Sequence, residues 1–395
     1  MKTLAIYVQI PFCSSKCAFC NFSSKVAPAS ALRTYLATLE HEIDLLPRFA
    51  GENREPLYAA RQVLALPVDS VYLGGGTPTL AGGEGLERIF SALRRQFSFG
   101  TAPEITLEMT PGSAGRDLLD ACRALGINRL SIGAQSFDDR ELCSVGRLHS
   151  AAETVEQVRW ARKAGFGNIS LDLIAGLPYQ TEISWLDSIR QAIELAPEHV
   201  SVYLFEVDDK SRLGNEVLRQ GGRYHAAAVP DDDFMAEAYE RAGELLAKAG
   251  YAQYEISNFA RPGFESRHNR RYWRLDPYIG LGAGAHSFDG HCRWSNESST
   301  EAYTSRIARG EIPITGWRRL ADTEQIEEFF FLGLRQREGI NLGSALARWG
   351  LAVEPWQPRI ASLLRQGLLE KQGETLRLAP RAYLVSNEVF QEFLA

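Results

Sequence analysis

Three of the six cysteines in this 395-residue chain, Cys13, Cys17 and Cys20, fall in one short stretch, IPFCSSKCAFCNF. Thiolates at C-x3-C-x2-C spacing are metal ligands, and soft sulfur suits zinc or iron–sulfur clusters. A structural zinc ion is normally closed by four ligands. Here Asn21 and Phe22 follow Cys20, and the next histidine is His41. Three inert core thiols do not suit a loop holding a proline and several serines, and an odd count does not suit disulfides. A [4Fe–4S] cluster is the stronger reading. Its irons normally take four cysteine thiolates, so three would leave one iron open to a chelating ligand.

Such a centre needs a scaffold that positions it. From Leu4 to about Val207, short β-branched or aromatic runs alternate with longer helical patterns. The strand candidates are LAIYVQI (4–10), SVYLGG (70–75), EITLEMT (104–110), RLSIGAQ (129–135), NISLDLI (168–174) and HVSVYLFEV (199–207). Helical stretches such as ALRTYLATLEHEIDLL and AAETVEQVRWARKAG lie between them, and Gly126 and Gly165 stand where helix C-caps belong. Six strands with helical crossovers imply a parallel sheet covered on both faces, as an open doubly wound sheet or a full or partial barrel. Either architecture puts its site at the C-terminal edge of the strands. The cysteines follow the first strand, GGGTPT closes the second, Glu108 nears the end of the third and Gln135 ends the fourth.

After Val207 the rhythm stops. A loop with a short helix, the helix DFMAEAYERAGELLAKAG and an irregular aromatic-rich segment follow. From about Leu320 a helical pattern and two short strand candidates, GLLEKQ and TLRLA, suggest a small C-terminal domain. The expected division is a core domain over 1–210, an extension over 211–319 and a mostly helical, winged-helix-like domain over 320–395. Hydrophobic content of 45% and charged content of 23% are those of a globular protein. A net charge of -6 without basic runs disfavours nucleic-acid partners. No apolar stretch is long enough to span a bilayer, and the N-terminal residues read as a strand rather than a signal peptide. The expected compartment is the cytoplasm, with peripheral membrane association allowed.

The segments YVQIPFC, YLGGGTPT, INRLSIGAQSFDDREL, LDLIAGLP and YEISNFARPG…RHNRRYW…YIGLGAGAHS together resemble the radical S-adenosylmethionine superfamily, in its coproporphyrinogen III oxidase-like branch. The resemblance covers nearly the whole chain. It implies a partial (β/α)6 TIM-like barrel, a [4Fe–4S] cluster on Cys13, Cys17 and Cys20, and S-adenosylmethionine on the open iron. It also implies a one-electron donor such as flavodoxin or ferredoxin, and formation of a 5′-deoxyadenosyl radical. Residues matching the family's cofactor contacts are Tyr7, Phe19, Gly75, Gly76, Thr77, Glu108, Gln135, Arg147 and Asp172. Without the resemblance, GGGTPT would be an ordinary tight turn, Glu108 and Asp172 capping or ion-pair residues, and Arg147 a helix-end arginine. Gln9 stands where the family usually has histidine, which keeps hydrogen bonding but loses protonation near neutral pH. Glu206 stands where a small or neutral residue is usual.

The branch holds two kinds of protein. One is an enzyme that decarboxylates two propionates of coproporphyrinogen III; the other is a chaperone that binds haem and transfers it to haem-accepting proteins. The enzymes usually carry a further cysteine where this chain has Phe22, and an N-terminal extension for which the six residues before Tyr7 leave no room. HNRRYW, from His268 to Trp273, matches a motif of the chaperones. His268, Tyr272 and Trp273 are therefore the haem candidates, with ordinary domain packing as the plainer reading. Ser266 replaces a cysteine found in many relatives, so no thiolate ligand is available there. The sequence favours the haem chaperone, with the decarboxylating dehydrogenase as the alternative.

Overall fold

The computed structural model describes residues 2–51 and 56–394. Six runs rich in β-branched and aromatic residues form β1 (Leu4–Gln9), β2 (Val68–Gly74), β3 (Phe99–Met109), β4 (Arg129–Gln135), β5 (Ile169–Ala175) and β6 (His199–Leu204). Each pairs parallel to the next, in chain order. Parallel neighbours require long crossovers. Helices Ala29–Gly51, Gly82–Gln96, Arg116–Ala124, Ala151–Lys163 and Glu182–Glu194 supply them. Gly126 and Gly165 end two of these helices at φ +91° and +84°, the left-handed conformation such caps need.

The segment that reads as irregular in sequence extends the same sheet at both edges. β7 (Ala252–Gln253) pairs antiparallel with β8 (Asn258–Ala260), which itself adds antiparallel to β6. β9 (Tyr278–Leu281) adds parallel to β1, followed by antiparallel β10 (His286–Phe288), β11 (Cys292–Asn296) and β12 (Ile314–Arg319). The sheet order is β12-β11-β10-β9-β1-β2-β3-β4-β5-β6-β8-β7. Its ends do not pair, so the barrel is partial. These added strands are two to six residues long and interrupted by glycines, too short to show a period.

A buried carboxylate ties the first helix to the β9–β10 turn. Glu42 accepts from Gly282 N (2.7 Å), Asn296 Nδ2 (2.7 Å) and the Tyr303 hydroxyl (2.6 Å). Burial pushes its pKa up to about 7 despite those donors. The C-terminal residues pack helices around a three-stranded antiparallel sheet of β13 (Ile340–Asn341), β14 (Leu369–Gln372) and β15 (Thr375–Leu378), in the order β13-β15-β14. Phe330 and Phe393 stack there at 4.2 Å between ring centroids.

Candidate functional site

The strand ends and the loop after β1 surround one cavity of about 480 Å³. Cys13, Cys17, Cys20 and Phe19 line it, all half-buried, and the three cysteines are free thiols. The cysteine loop is held from several sides. Cys13 N donates to Lys25 O (3.0 Å), Ala18 N to Val145 O (2.9 Å) and Leu213 N to Ala18 O (2.8 Å). Lys16 Nζ reaches across the loop to Phe22 O at 2.6 Å and Ser24 O at 3.0 Å. Ala18 and Phe19 also pack into a small apolar cluster with Val145, Ile174, Leu177, Phe205 and Leu213.

Glycines are required after β2 because of what they touch. A Cβ on Gly76 would lie 2.5 Å from Phe12 O, 2.7 Å from Phe12 N and 2.8 Å from Ile10 O. Gly75 sits at φ +98°, with the Gln9 side chain 2.3 Å from where its Cβ would be. Thr77 N donates to Phe12 O at 2.7 Å. The GGGTPT turn is thus clamped against the backbone that enters Cys13. Gln9 is buried and accepts from the Tyr7 hydroxyl at 2.8 Å. Tyr7 stacks on Tyr72 (6.0 Å) beneath the cavity rather than in its lining.

Gly75, Gly76, Thr77, Glu108, Gln135, Arg147 and Asp172 all line the same cavity. Glu108 accepts from the Tyr72 hydroxyl (2.9 Å) and Gly75 N (3.0 Å). Burial raises its pKa to about 7, against those two hydrogen bonds. Asp172 is also raised by burial, opposed by donors from Ser201, Ser131 and Ser170 and by the charge of Arg129. Gln135 ends β4 at φ +67°, a strained conformation for a non-glycine residue that turns its amide into the site. Arg147 donates to Gly133 O (2.6 Å) and to Cys17 Sγ (3.5 Å), while its buried Nε has no partner among the described residues.

The haem candidates lie elsewhere. Helix Arg267–Trp273 plugs the barrel from the side opposite the cysteine loop. Glu104, inward on β3, accepts from Arg267 N (3.1 Å) and His268 N (3.0 Å), and Ser266 caps the helix through Asn269 N (3.2 Å). His268 is buried with both ring nitrogens engaged, Nδ1 with Ser70 Oγ (3.1 Å) and Nε2 with the Tyr272 hydroxyl (2.8 Å). Burial, then Arg271 and Arg129, hold its pKa down at about 3, so the ring is neutral. Tyr272 meets Tyr278 edge-on at 4.7 Å, and Arg335 covers the Trp273 ring at 4.5 Å.

Further cavity residues lie outside the matched cofactor contacts: Arg129, Ser131, His199, Ser201 and Tyr203. A signal for them exists in the sequence. Strands buried on both faces should be apolar throughout, yet β4, β5 and β6 place polar residues at alternate positions, as in Arg129-Ser131 and His199-Ser201. That alternation marks a polar barrel interior.

These residues fit an iron–sulfur cluster. Three free thiols and a fixed guanidinium face one cavity, beside a turn whose glycines leave room for a ligand. Among the described residues no three His, Cys, Asp or Glu side chains form a group that could share one metal ion. A cluster makes no such demand, because each thiolate binds a separate iron.

Fold and site together define a radical S-adenosylmethionine protein. Residues 7–192 match the family model described as Radical SAM superfamily, and residues 320–385 match the HemN C-terminal domain. The chain is 34% identical over 98% of its length to a Bacillus subtilis protein named "Heme chaperone HemW", with 98% of that protein covered. It is 30% identical over its full length to the Escherichia coli protein of the same name, 99% of which is covered. Among solved structures, coproporphyrinogen III oxidase (HemN) from Escherichia coli shares the fold at TM-score 0.82 and 24% identity, over 99% of this chain and 90% of that one. The chain belongs to the radical SAM superfamily, in the HemN-related family whose curated members include the HemW proteins.

Proposed function

We propose that this protein binds haem and passes it to haem-accepting proteins in the cytoplasm, on a scaffold that keeps a [4Fe–4S] cluster and an S-adenosylmethionine site. The full-length likeness to proteins named heme chaperones carries this reading. Phe22, 69% exposed on the rim of the cavity, supports it, because the decarboxylating relatives usually place another thiol there. No helix among the described residues is long and apolar enough to cross a membrane.

In this proposal Cys13, Cys17 and Cys20 would hold the cluster. Gly75, Gly76 and Thr77 present backbone to the methionyl part of S-adenosylmethionine, and Glu108, Gln135, Arg147 and Asp172 its polar contacts. A bound, reduced cluster of this kind supplies one electron to a sulfonium, replenished by a small electron-transfer protein. The chain's own residues orient and shield. Arg147 sets a positive charge beside Cys17, and Phe19 and its apolar neighbours keep water from the loop. His268 reaches an iron only by leaving Ser70 and Tyr272, so the HNRRYW helix acts here as the floor of the barrel. The test is a titration of anaerobically reconstituted protein with haem. A shifted Soret band saturating at about one haem per chain, followed by transfer to an apo-haemoprotein, supports the reading. No saturable binding overturns it.

A further inference from the structure

The lower half of the cavity holds polar groups that the cofactor contacts leave unused. Along β4 the inward residues run from Gln135 at the top to Arg129, six residues and about 20 Å further down. Arg129 is 2% exposed and lines the cavity, and its Nε has no hydrogen-bond partner among the described residues. Glu108 and Asp172 feel its charge, yet they take their hydrogen bonds from Tyr72, Gly75 and serines. Thr106 stands directly across from Arg129 in the β3–β4 register, and its buried hydroxyl is also unpartnered. His199 is occupied by Ser170 (2.8 Å) and Tyr254 (2.9 Å) and is kept neutral by burial and by Arg129. Among the described residues the Arg129 guanidinium therefore has no hydrogen-bond acceptor in this floor, and the unpartnered Thr106 hydroxyl lies fully buried beside it, outside the cavity lining.

An unpaired buried charge is costly, and removing its partner is more costly than removing the pair. A guanidinium fork matches a carboxylate with two parallel hydrogen bonds. We propose that the barrel floor at Arg129 and Thr106 is a carboxylate subsite, separate from the S-adenosylmethionine contacts above it. The methionyl carboxylate does not supply that group, because it is needed at the open iron at the top of the barrel. The carboxylate comes from a propionate arm of a tetrapyrrole, which rests on the haem reading above, or from a small free acid.

The experiment measures the affinity of reconstituted wild type, Arg129→Met and Thr106→Val for sodium propionate, mesohaem and mesohaem dimethyl ester. At least a tenfold loss in Arg129→Met is expected for one of the two acids, with a smaller loss in Thr106→Val and no change for the diester. A response to propionate alone assigns a free acid; a response to mesohaem assigns the tetrapyrrole arm. Thr106→Val leaves every charge in place and decides the matter should Arg129→Met fail to fold. Equal affinity of wild type and variants for both acids overturns the subsite, and leaves the haem reading standing if mesohaem and its diester still bind. Loss of all porphyrin binding with an Arg129-dependent response to propionate does the reverse.

Discussion

Gly76→Ala tests whether the glycine turn locks the cysteine loop. The added methyl would stand 2.5–2.8 Å from three backbone atoms of Ile10 and Phe12. Backbone cannot swing aside as a flexible side chain can, and this stretch is pinned by Ile10 N donating to Gly74 O (2.9 Å). Relief requires the turn to lift away from Phe12, which breaks the 2.7 Å bond from Thr77 N to Phe12 O. Overpacking costs about 1–3 kcal/mol, and the lost hydrogen bond about 1 kcal/mol. The sum, about 2–4 kcal/mol, is a ~30- to 700-fold shift toward an open loop at 1.4 kcal/mol per decade. The assay is anaerobic loss of the brown cluster absorbance to a ferrous chelator. Cluster release should accelerate by at least ~30-fold, the low end of that range. Gly115→Ala is the control, since nothing lies within 4 Å of its Cβ position. Release from Gly76→Ala at the wild-type rate would show that the turn does not hold the cysteines.

Replacing Cys13, Cys17 and Cys20 together should abolish iron binding, while replacing Cys122, Cys143 and Cys292 should leave about four irons per chain; stoichiometric zinc in anaerobically purified protein would defeat the cluster. Glu108→Ala or Asp172→Ala should weaken S-adenosylmethionine binding by about 1–3 kcal/mol in calorimetry, and unchanged affinity in both would move the cofactor elsewhere. Burial lifts Glu42 from 4.5 to about 7 in the fold, so the native state holds more protons than the unfolded chain across that window. Apo-protein stability should therefore fall as pH rises from 4.5 through 7, and Glu42→Gln should flatten that slope; an equally steep slope in the variant contradicts the assignment. His268→Ala should leave the haem-bound spectrum unchanged, because both ring nitrogens already serve Ser70 and Tyr272; loss of the spectrum would make the imidazole an iron ligand.

The six parallel strands were legible because each is a run of β-branched and aromatic residues bounded by helix signals, and RLSIGAQ matches β4 residue for residue. Strand ends drifted elsewhere: β3 begins at Phe99, ahead of the β-rich run that starts at Glu104, because its pairing with β2 continues past that run. The outer strands were not legible. Tyr278–Leu281 joins β1 only through tertiary pairing, and the glycines at 280, 282 and 284 mask any alternation. The cysteine spacing and the glycine turn announced themselves by local chemistry. Arg129 and Thr106 did not, since one arginine and one threonine in strands carry meaning only once the barrel shows which way they face. The fate of His268 was equally hidden: no local pattern foretells that Ser70, far away in the chain, takes one of its ring nitrogens.

In the proposed function, this radical SAM scaffold carries haem and leaves the propionates of coproporphyrinogen III intact. The direct measurement is product analysis after anaerobic incubation of reconstituted protein with coproporphyrinogen III, S-adenosylmethionine and reductant, beside a parallel haem titration. Unaltered coproporphyrinogen III and about one haem bound per chain are expected. Catalytic formation of protoporphyrinogen would contradict the proposal and assign the chain to the decarboxylating enzymes.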